Sequence, residues 1–191
     1  MVNKAASFHF GLCPPAGNPV VGEVAELGSA TAMLSYPGYQ SRFVDSGTSA
    51  LALACLSSRH LAGEERVEVI VPSYGCPDLI AAVHYAGLVP LLVDIHTDYH
   101  GYDLIALGNA ISKRTLAVIA VNFLGIPEQL GLIAELLAGA KEKIYLIEDN
   151  AQWLPEYEGR LFGASLPGDF VLTSFGRGKP LSLLGGGVLF T

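Results

Sequence analysis

Residues 144–152 read IYLIEDNAQ, an apolar run that passes directly into carboxylate and amide side chains. The run predicts a strand covered on both faces, because a strand with one solvated face alternates apolar and polar residues. In an open α/β sheet, ligands bind beyond the carboxyl ends of the strands, and Asp149 falls at such an end. This stretch therefore predicts both a buried strand and a functional edge.

Similar runs recur along the chain and define the fold class. Strands are predicted over 67–71, 89–94, 116–121, 144–148, 170–174 and 187–190. Ala- and Leu-rich stretches at helical spacing predict helices over 49–58, 78–86, 104–110 and 128–140. Parallel strands need crossover connections of this kind. The alternation predicts an α/β fold with three layers, αβα, around a mainly parallel sheet.

The length of 191 residues fits one domain. A Pro- and Gly-rich opening predicts an N-terminal arm over 1–20, and we expect a single domain over 21–191. The chain is 51% hydrophobic and 15% charged, a composition that excludes intrinsic disorder. Its net charge is −7 and no basic stripe is visible, so we expect no nucleic-acid partner.

Membrane, metal and redox classes are also constrained by the sequence. The most apolar span, 79–95, is interrupted by His84, Tyr85 and Pro90, so we expect no transmembrane helix and no membrane partner. The N-terminal residues lack the apolar region of a signal peptide. Three cysteines and no cluster of histidines and carboxylates predict neither a disulfide framework nor a metal site. These features favour a cytoplasmic location.

A small-residue turn, SGTSAL at 46–51, precedes the first predicted helix. The helix N-terminus offers free N–H groups, Gly47 lets an anion approach the backbone, and Thr48 and Ser49 add hydroxyl groups. The turn is therefore a candidate phosphate site. The alternative is an ordinary helix cap by Ser46 or Thr48. The sequence has no Gly-x-Gly-x-x-Gly motif after a strand and no Walker-type lysine, so a nicotinamide dinucleotide or ATP has no support.

Two further candidates carry charge. Asp149 could bind a protonated ring nitrogen by a charge-assisted hydrogen bond, or it could cap a helix. Lys179 lies in a Gly-rich loop after a predicted buried strand, where an amine can become a Schiff-base nucleophile. Ser174, five residues earlier, could reach the same phosphate as Thr48. A phosphate site, an acid for a pyridinium nitrogen and a loop lysine are the parts that pyridoxal phosphate (PLP) needs.

The order of the motifs resembles one family. SGTSAL at 46–51, VPSYGCP at 71–77, EDNAQ at 148–152, SFGRGK at 174–179 and GGG at 185–187 are similar to the DegT/DnrJ/StrS family of fold type I sugar aminotransferases. The resemblance runs from about residue 40 to residue 191 and is most specific in the Asp-x-x-Gln and Ser-x-x-x-x-Lys spacings. It covers about the first half of such enzymes, so we expect a partial PLP-binding large domain without its C-terminal part.

The resemblance implies a role for each matching residue. Gly47, Thr48 and Ser49 would hold the cofactor phosphate together with Ser174. Asp149 would pair with the pyridine nitrogen, and Gln152 would contact the ring hydroxyl. Lys179 would be the catalytic residue that forms the internal aldimine and moves the proton.

At the position where the family places a flat side chain over the cofactor ring, this chain has Cys76. The thiol can pack on the ring face. The alternatives are that Cys76 is an ordinary buried core residue and that Tyr74 replaces it as the stacking residue. Asn122, at the end of a predicted strand, either lines the same pocket or caps the strand.

The implied function is transfer of an amino group from an amino-acid donor, such as glutamate, to a keto-sugar carried on a nucleotide. A dehydratase branch of the family has histidine in place of the lysine, so Lys179 favours transamination. The resemblance also implies a homodimer. The alternative function is a non-catalytic or partial-length protein of the same fold that binds cofactor or a partner chain without turnover.

Overall fold

The computed structural model describes residues 38–63, 65–153 and 167–191. The predicted arm over 1–20 and the first part of the predicted domain lie outside these residues, so the division of the chain stays a prediction. In the described part, no helix combines the length and the apolar character that a membrane crossing requires.

The described residues form one seven-stranded sheet with the order β1-β7-β6-β5-β4-β2-β3. The strands are β1 Ser41–Val44, β2 Glu68–Pro72, β3 Val89–Val93, β4 Thr115–Val121, β5 Tyr145–Asp149, β6 Phe170–Ser174 and β7 Gly187–Phe190. β7 is antiparallel to β1 and β6, whereas the pairs among β2 to β6 are parallel. The predicted mainly parallel sheet is confirmed.

In the described part of the chain, four helices cover the two faces of the sheet. They are α1 Gly47–Ala62, α2 Asp78–Tyr85, α3 Leu104–Ala110 and α4 Leu130–Ala138, with a 3-10 turn at Phe123–Gly125. The buried residues of α1 and α2 share one core cluster with inward residues of the sheet, such as Val71 and Ile147. Residues of α3 and α4 share the other, with Ile70 and Leu146. Alternate strand residues therefore enter opposite cores, and the three-layer prediction is confirmed.

All six predicted strands and all four predicted helices are present, with ends that differ by a few residues. The sequence did not predict β1, in which Arg42 and Phe43 are both exposed and Phe43 keeps 59% of its surface accessible. β1 exists because it pairs with β7, in the register Val44 to Gly187, which is far along the chain. A pattern search within a short window does not detect such pairing.

Candidate active site

The N-terminus of α1 is capped by Ser46. Its backbone is extended, at φ −157°, and its side chain accepts a hydrogen bond of 3.1 Å from the N–H of Ser49. The prediction of a cap here is confirmed. The cap leaves the N–H groups of Gly47 and Thr48 for another acceptor, because the first turn of a helix has no intrahelical partners for its donors. Cap and anion site are therefore compatible at this turn.

Glycine at position 47 brings the helix N-terminus against strand β6. A Cβ at Gly47 would lie 2.6 Å from the Cβ and 2.9 Å from the Oγ of Ser174. On the other side, a Cβ at Gly187 would lie 2.6 Å from the carbonyl oxygen of Ser46. Both approaches are closer than side chains allow, so the two glycines let α1, β6 and β7 converge at one point. The convergence places the hydroxyl-bearing Ser174 beside the free N–H groups of α1.

Asp149 ends strand β5 on the face that carries α1. Its side chain is buried, with 6% of the residue exposed, and its Oδ1 accepts a hydrogen bond of 2.8 Å from the N–H of Ala151. Burial raises the pKa of the Asp149 carboxyl, while the Ala151 N–H and the charge of Lys179 act to lower it. Asp149 therefore caps a turn rather than a helix, and its carboxylate lies within electrostatic reach of the lysine.

Lys179 lies in the connection between β6 and β7. This loop is held by hydrogen bonds of 2.9 Å from the N–H of Phe175 to Gly186 and from the N–H of Leu183 to Phe175. Gly178 has φ +75°, a conformation that suits glycine, and it turns the chain just before the lysine. Lys179 itself is half-buried. The loop thus presents the amine at the carboxyl edge of the sheet.

These residues line one pocket, which we call the cofactor pocket. Its lining is Gly47, Thr48, Leu51, Cys76, Asp78, Leu79, Asp149, Ala151, Leu172, Ser174 and Lys179. It collects side chains from α1, α2, β5, β6 and the β6–β7 loop. Six of the predicted site residues are among them: Gly47, Thr48, Cys76, Asp149, Ser174 and Lys179.

Two predicted site residues lie outside the lining of the cofactor pocket. The Oγ of Ser49 is 2.9 Å from the Oγ of Ser46, with which it shares a hydrogen bond. The Oε1 of Gln152 accepts a hydrogen bond of 2.9 Å from the N–H of Leu124, whose φ of 55° is unusual for a residue with a side chain. Gln152 therefore stabilises the 3-10 turn, and its Nε2 remains available as a donor. The cofactor roles of Ser49 and Gln152 stay predictions.

Cys76 is exposed and lines the cofactor pocket. The alternative that it is a buried core residue is wrong, because the turn before α2 carries it at the surface rather than into either core. Tyr74 is also exposed, at 61%, and its ring packs edge-on against Phe123 with centroids 5.4 Å apart. The position of Cys76 suits packing against a bound ring, whereas Tyr74 is engaged with the turn after β4.

A larger groove of about 480 Å³ lies along α1 and β7, but it contains none of the predicted site residues. Its lining is mainly apolar and includes Leu53, Leu56 and Leu189. The described residues contain no group of three or more histidines, cysteines or carboxylates that could hold a metal ion. The chemistry of the cofactor pocket, rather than the size of the cavity, marks it as the candidate site.

A buried polar network, which no sequence pattern predicts, lies behind Asp149 on the opposite face of the sheet. Glu148 is fully buried, and its Oε1 accepts a hydrogen bond of 2.9 Å from the Nδ2 of Asn150. The Nδ2 of Asn122 donates to Asn150, and the Oδ1 of Asn122 accepts from the N–H of Glu128 at 2.7 Å. Asn122 thus connects the ends of β4 and β5 by hydrogen bonds and does not line the cofactor pocket. This agrees with the interpretation of Asn122 as a strand cap.

The Oε2 of Glu148 has no hydrogen-bond partner among the described residues. Burial raises the pKa of this carboxyl, against the lowering effect of its hydrogen bonds. Because Glu148 and Asp149 are adjacent strand residues, they point to opposite faces. The network therefore fixes the end of β5 from behind while Asp149 faces the cofactor pocket.

Comparison with known proteins identifies the family. The family model for DegT/DnrJ/EryC1/StrS aminotransferases matches residues 40–191, which span the whole described sheet. The chain belongs to the DegT/DnrJ/EryC1/StrS aminotransferase family. Members of this family depend on PLP, so the predicted cofactor class is confirmed at the level of the family.

Three similar proteins illustrate the relationship. The dTDP-4-dehydro-2,6-dideoxy-D-glucose 3-dehydratase of Saccharopolyspora spinosa is 34% identical over 160 residues, covering 80% of this chain and 33% of the relative. The dTDP-3-amino-3,4,6-trideoxy-alpha-D-glucose transaminase of Streptomyces venezuelae is 34% identical over 145 residues, covering 75% of this chain and 36% of the relative. The structure of the sugar aminotransferase Spr1654 from Streptococcus pneumoniae in its PLP form has a TM-score of 0.70 at 24% identity, covering 85% of this chain and 43% of that chain.

These figures confirm the PLP fold type I architecture of the family. They also show that the chain spans about a third of the length of the two curated relatives, 33% and 36%. The two relatives carry different activities, dehydration and amino transfer. Family membership therefore leaves the reaction of this chain as a proposal.

Proposed function

We propose that this chain is the cofactor-binding part of a PLP-dependent aminotransferase that transfers an amino group from glutamate to a nucleotide-linked keto-sugar. The observation that carries the proposal is the convergence of Gly47, Thr48, Asp149, Ser174 and Lys179 on one pocket. These residues come from separate parts of the chain, and packing of the two hydrophobic cores does not require this combination of side chains.

The pocket residues fit the chemistry of PLP. Free N–H groups at the start of α1 and the hydroxyl of Ser174 suit the phosphate, since helix N-termini favour anions. Because Gly47 has no Cβ, Ser174 lies close enough to the start of α1 for these groups to converge. The carboxylate of Asp149 suits a protonated ring nitrogen, and the Lys179 charge and Ala151 N–H help to keep that carboxyl ionised.

When bound, PLP supplies an aldehyde for the incoming amino group and a ring that withdraws electrons from the reacting carbon. Lys179 then has two tasks in this proposal: its Nζ holds the cofactor, and the same nitrogen moves a proton at the reacting carbon. Cys76 packs against the ring, and Thr48, Ser49 and Ser174 bind the phosphate. Gln152 donates from Nε2 to the ring hydroxyl while its Oε1 holds the turn at Leu124.

The lysine supports amino transfer over dehydration. A proton must be taken from one carbon and returned to another, and a flexible primary amine can serve both positions. The nucleotide-linked sugar in the proposal is supported by the names of relatives such as the Streptomyces venezuelae transaminase. Glutamate as the amino donor is what the family resemblance implies. The alternative of cofactor binding without turnover makes a different prediction in the second experiment below.

The first experiment measures the near-visible absorbance of the purified chain with added PLP. Borohydride then fixes any bond between the cofactor and a lysine, and peptide mapping identifies that lysine. We expect a band that maps to Lys179, disappears in Lys179→Ala and persists in Lys113→Ala, because Lys113 is exposed and outside the pocket. A folded wild-type chain without a band, or a label on another lysine, contradicts the proposed site.

The second experiment separates amino transfer from binding. Glutamate is added to the PLP-loaded chain without any sugar, and 2-oxoglutarate is measured together with the absorbance. We expect loss of the band and release of one 2-oxoglutarate for each cofactor, because the first half of the reaction needs only the donor. A stable band and no 2-oxoglutarate support the non-catalytic alternative.

A homodimer and a cytoplasmic location stay predictions. Large apolar side chains are exposed along α1 and α2, including Leu56, Leu61 and Tyr85, the last at 79%. Such side chains suit burial against further protein surface. Their exposure supports the proposed homodimer.

A further inference from the structure

Asp78 places a carboxylate in the cofactor pocket beside the proposed phosphate site. It is the first residue of α2, it is exposed, and it lines the pocket together with Gly47, Thr48 and Ser174. Its Oδ2 accepts a hydrogen bond of 3.0 Å from the Oγ1 of Thr48. None of the sequence motifs includes Asp78. Its contact with Thr48 could not be predicted from a local pattern, because the two residues are 30 positions apart.

The hydrogen bond restricts what Thr48 can offer to an anion. A threonine hydroxyl has one proton, and a phosphate dianion can only accept. While the proton of Thr48 is donated to Asp78, the hydroxyl has none for a phosphate. Thr48 can then contribute its backbone N–H, together with the N–H of Gly47.

The charge of Asp78 also weakens the binding of a phosphate. Among the residues that line the cofactor pocket, Lys179 is the cation, whereas Asp78 and Asp149 are both acidic. Asp149 faces the proposed ring nitrogen, but Asp78 lies against the hydroxyl of Thr48. A phosphate at the start of α1 therefore meets a negative charge within a few ångströms, in a site that remains partly screened by solvent.

We propose that Asp78 sets the phosphate affinity of the cofactor pocket by holding the Thr48 hydroxyl and repelling the phosphate. The inference rests on the proposed function, since it takes the phosphate of PLP to bind at the start of α1. Its consequence is selective binding: a phosphate alone is held weakly, and firm binding requires the contacts of Lys179 and Asp149 with the rest of the cofactor.

The test compares ligands with and without the phosphate. The affinity of the chain for PLP and for pyridoxal is measured by absorbance in wild type and in Asp78→Asn. Asparagine keeps an oxygen that can accept from Thr48 but removes the charge. We expect Asp78→Asn to bind PLP about 3- to 10-fold more tightly, with little change for pyridoxal, as one screened charge pair predicts.

The matched control is Asp94→Asn. The Oδ1 of Asp94 accepts a hydrogen bond of 2.8 Å from the Oγ of Ser73, so the control removes the same charge from the same kind of pair outside the pocket lining. A second variant, Thr48→Val, tests the hydrogen bond. Because Asp78 holds the Thr48 proton in wild type, we expect loss of the hydroxyl to reduce PLP affinity little there, and more in an Asp78→Ala background that removes the acceptor.

A readout that needs neither Lys179 nor Asp149 separates this inference from the proposed function. Inorganic phosphate is titrated against each variant and the rise in Tm is recorded, and we expect a larger rise for Asp78→Asn. If wild type binds PLP but Asp78→Asn shows no phosphate-specific gain, the Asp78 inference is wrong and the proposed function stands. If no PLP band forms but Asp78→Asn still shows the larger rise in Tm with phosphate, the proposed function is wrong and the Asp78 inference stands. No difference between the variants in either readout overturns the inference.

Discussion

Gly47→Ala tests the packing that builds the proposed phosphate site. The added Cβ would lie 2.6 Å from the Cβ of Ser174, 2.9 Å from its Oγ and 3.5 Å from its Cα. Carbon atoms pack best at about 3.5–4.0 Å, so the contact overlaps by roughly 1 Å. Overpacking of this kind costs about 1–3 kcal/mol, and the gain in helix propensity offsets less than about 1 kcal/mol of it.

The expected result is a free energy of unfolding lower by about 1–2 kcal/mol, measured by urea denaturation. Ser174→Gly in the same chain removes both the Cβ and the Oγ and should restore much of the stability lost through Gly47→Ala. Ser174→Ala keeps the Cβ and should restore little. The interaction energy in this double-mutant cycle isolates the contact from the separate cost of each substitution.

The matched control is Gly131→Ala in α4, where an added Cβ has no neighbour within 4 Å. It should raise stability by about 0.5–1 kcal/mol, as expected for alanine in place of glycine within a helix. A Gly47→Ala variant as stable as Gly131→Ala would contradict the predicted overlap with Ser174. The same holds if Ser174→Ala restores stability as well as Ser174→Gly does.

Two further predictions concern the cofactor pocket and the network behind it. In a Cys13→Ser background, a thiol reagent should label Cys76, which is exposed, and spare Cys55, because burial raises the pKa of the Cys55 thiol to about 12. Bound PLP should slow the labelling of Cys76. An unchanged labelling rate at saturating PLP would place Cys76 outside the site. Glu148→Gln should gain stability relative to wild type as pH rises. The raised pKa of Glu148 means that its protonated form contributes stability below the ordinary value near 4.5, and that contribution is lost as pH rises through the folded-state pKa. Urea denaturation from pH 4 to pH 8 measures the difference between the two proteins, and a difference independent of pH contradicts the burial argument.

The motifs fixed by local sequence were predicted well because their signals are local. The apolar run before Asp149 predicts a buried strand, and its change to polar residues predicts the strand end that β5 has. The small residues before the first predicted helix indicate its start, which Ser46 caps. Lys179 stood out because it follows a buried strand within a glycine-rich loop. Each of these signals lies within a few residues of the group that it identifies.

The loop conformations were less predictable. The cofactor role of Gln152 stays a prediction, but the hydrogen bond by which its Oε1 holds the turn at Leu124 was not predicted. A leucine at φ 55° leaves no mark in an apolar pattern, since the conformation depends on the contacts of the turn rather than on the residue. The strand β1 was missed for a related reason: its four residues gain their hydrogen bonds from β7.

The alternation of strands and helices, the family, and the residues whose chemistry suits PLP follow from periodicity and motif spacing, which are properties of the chain. Which of these residues meet depends on tertiary packing. The order of the strands brings Ser174 against Gly47, and the packing of α2 on α1 brings Asp78 to Thr48. Strand pleating sends Asp149 to the pocket and Glu148 to the buried network. Such contacts join residues far apart in sequence, and they depend on how all the layers pack together rather than on any local pattern.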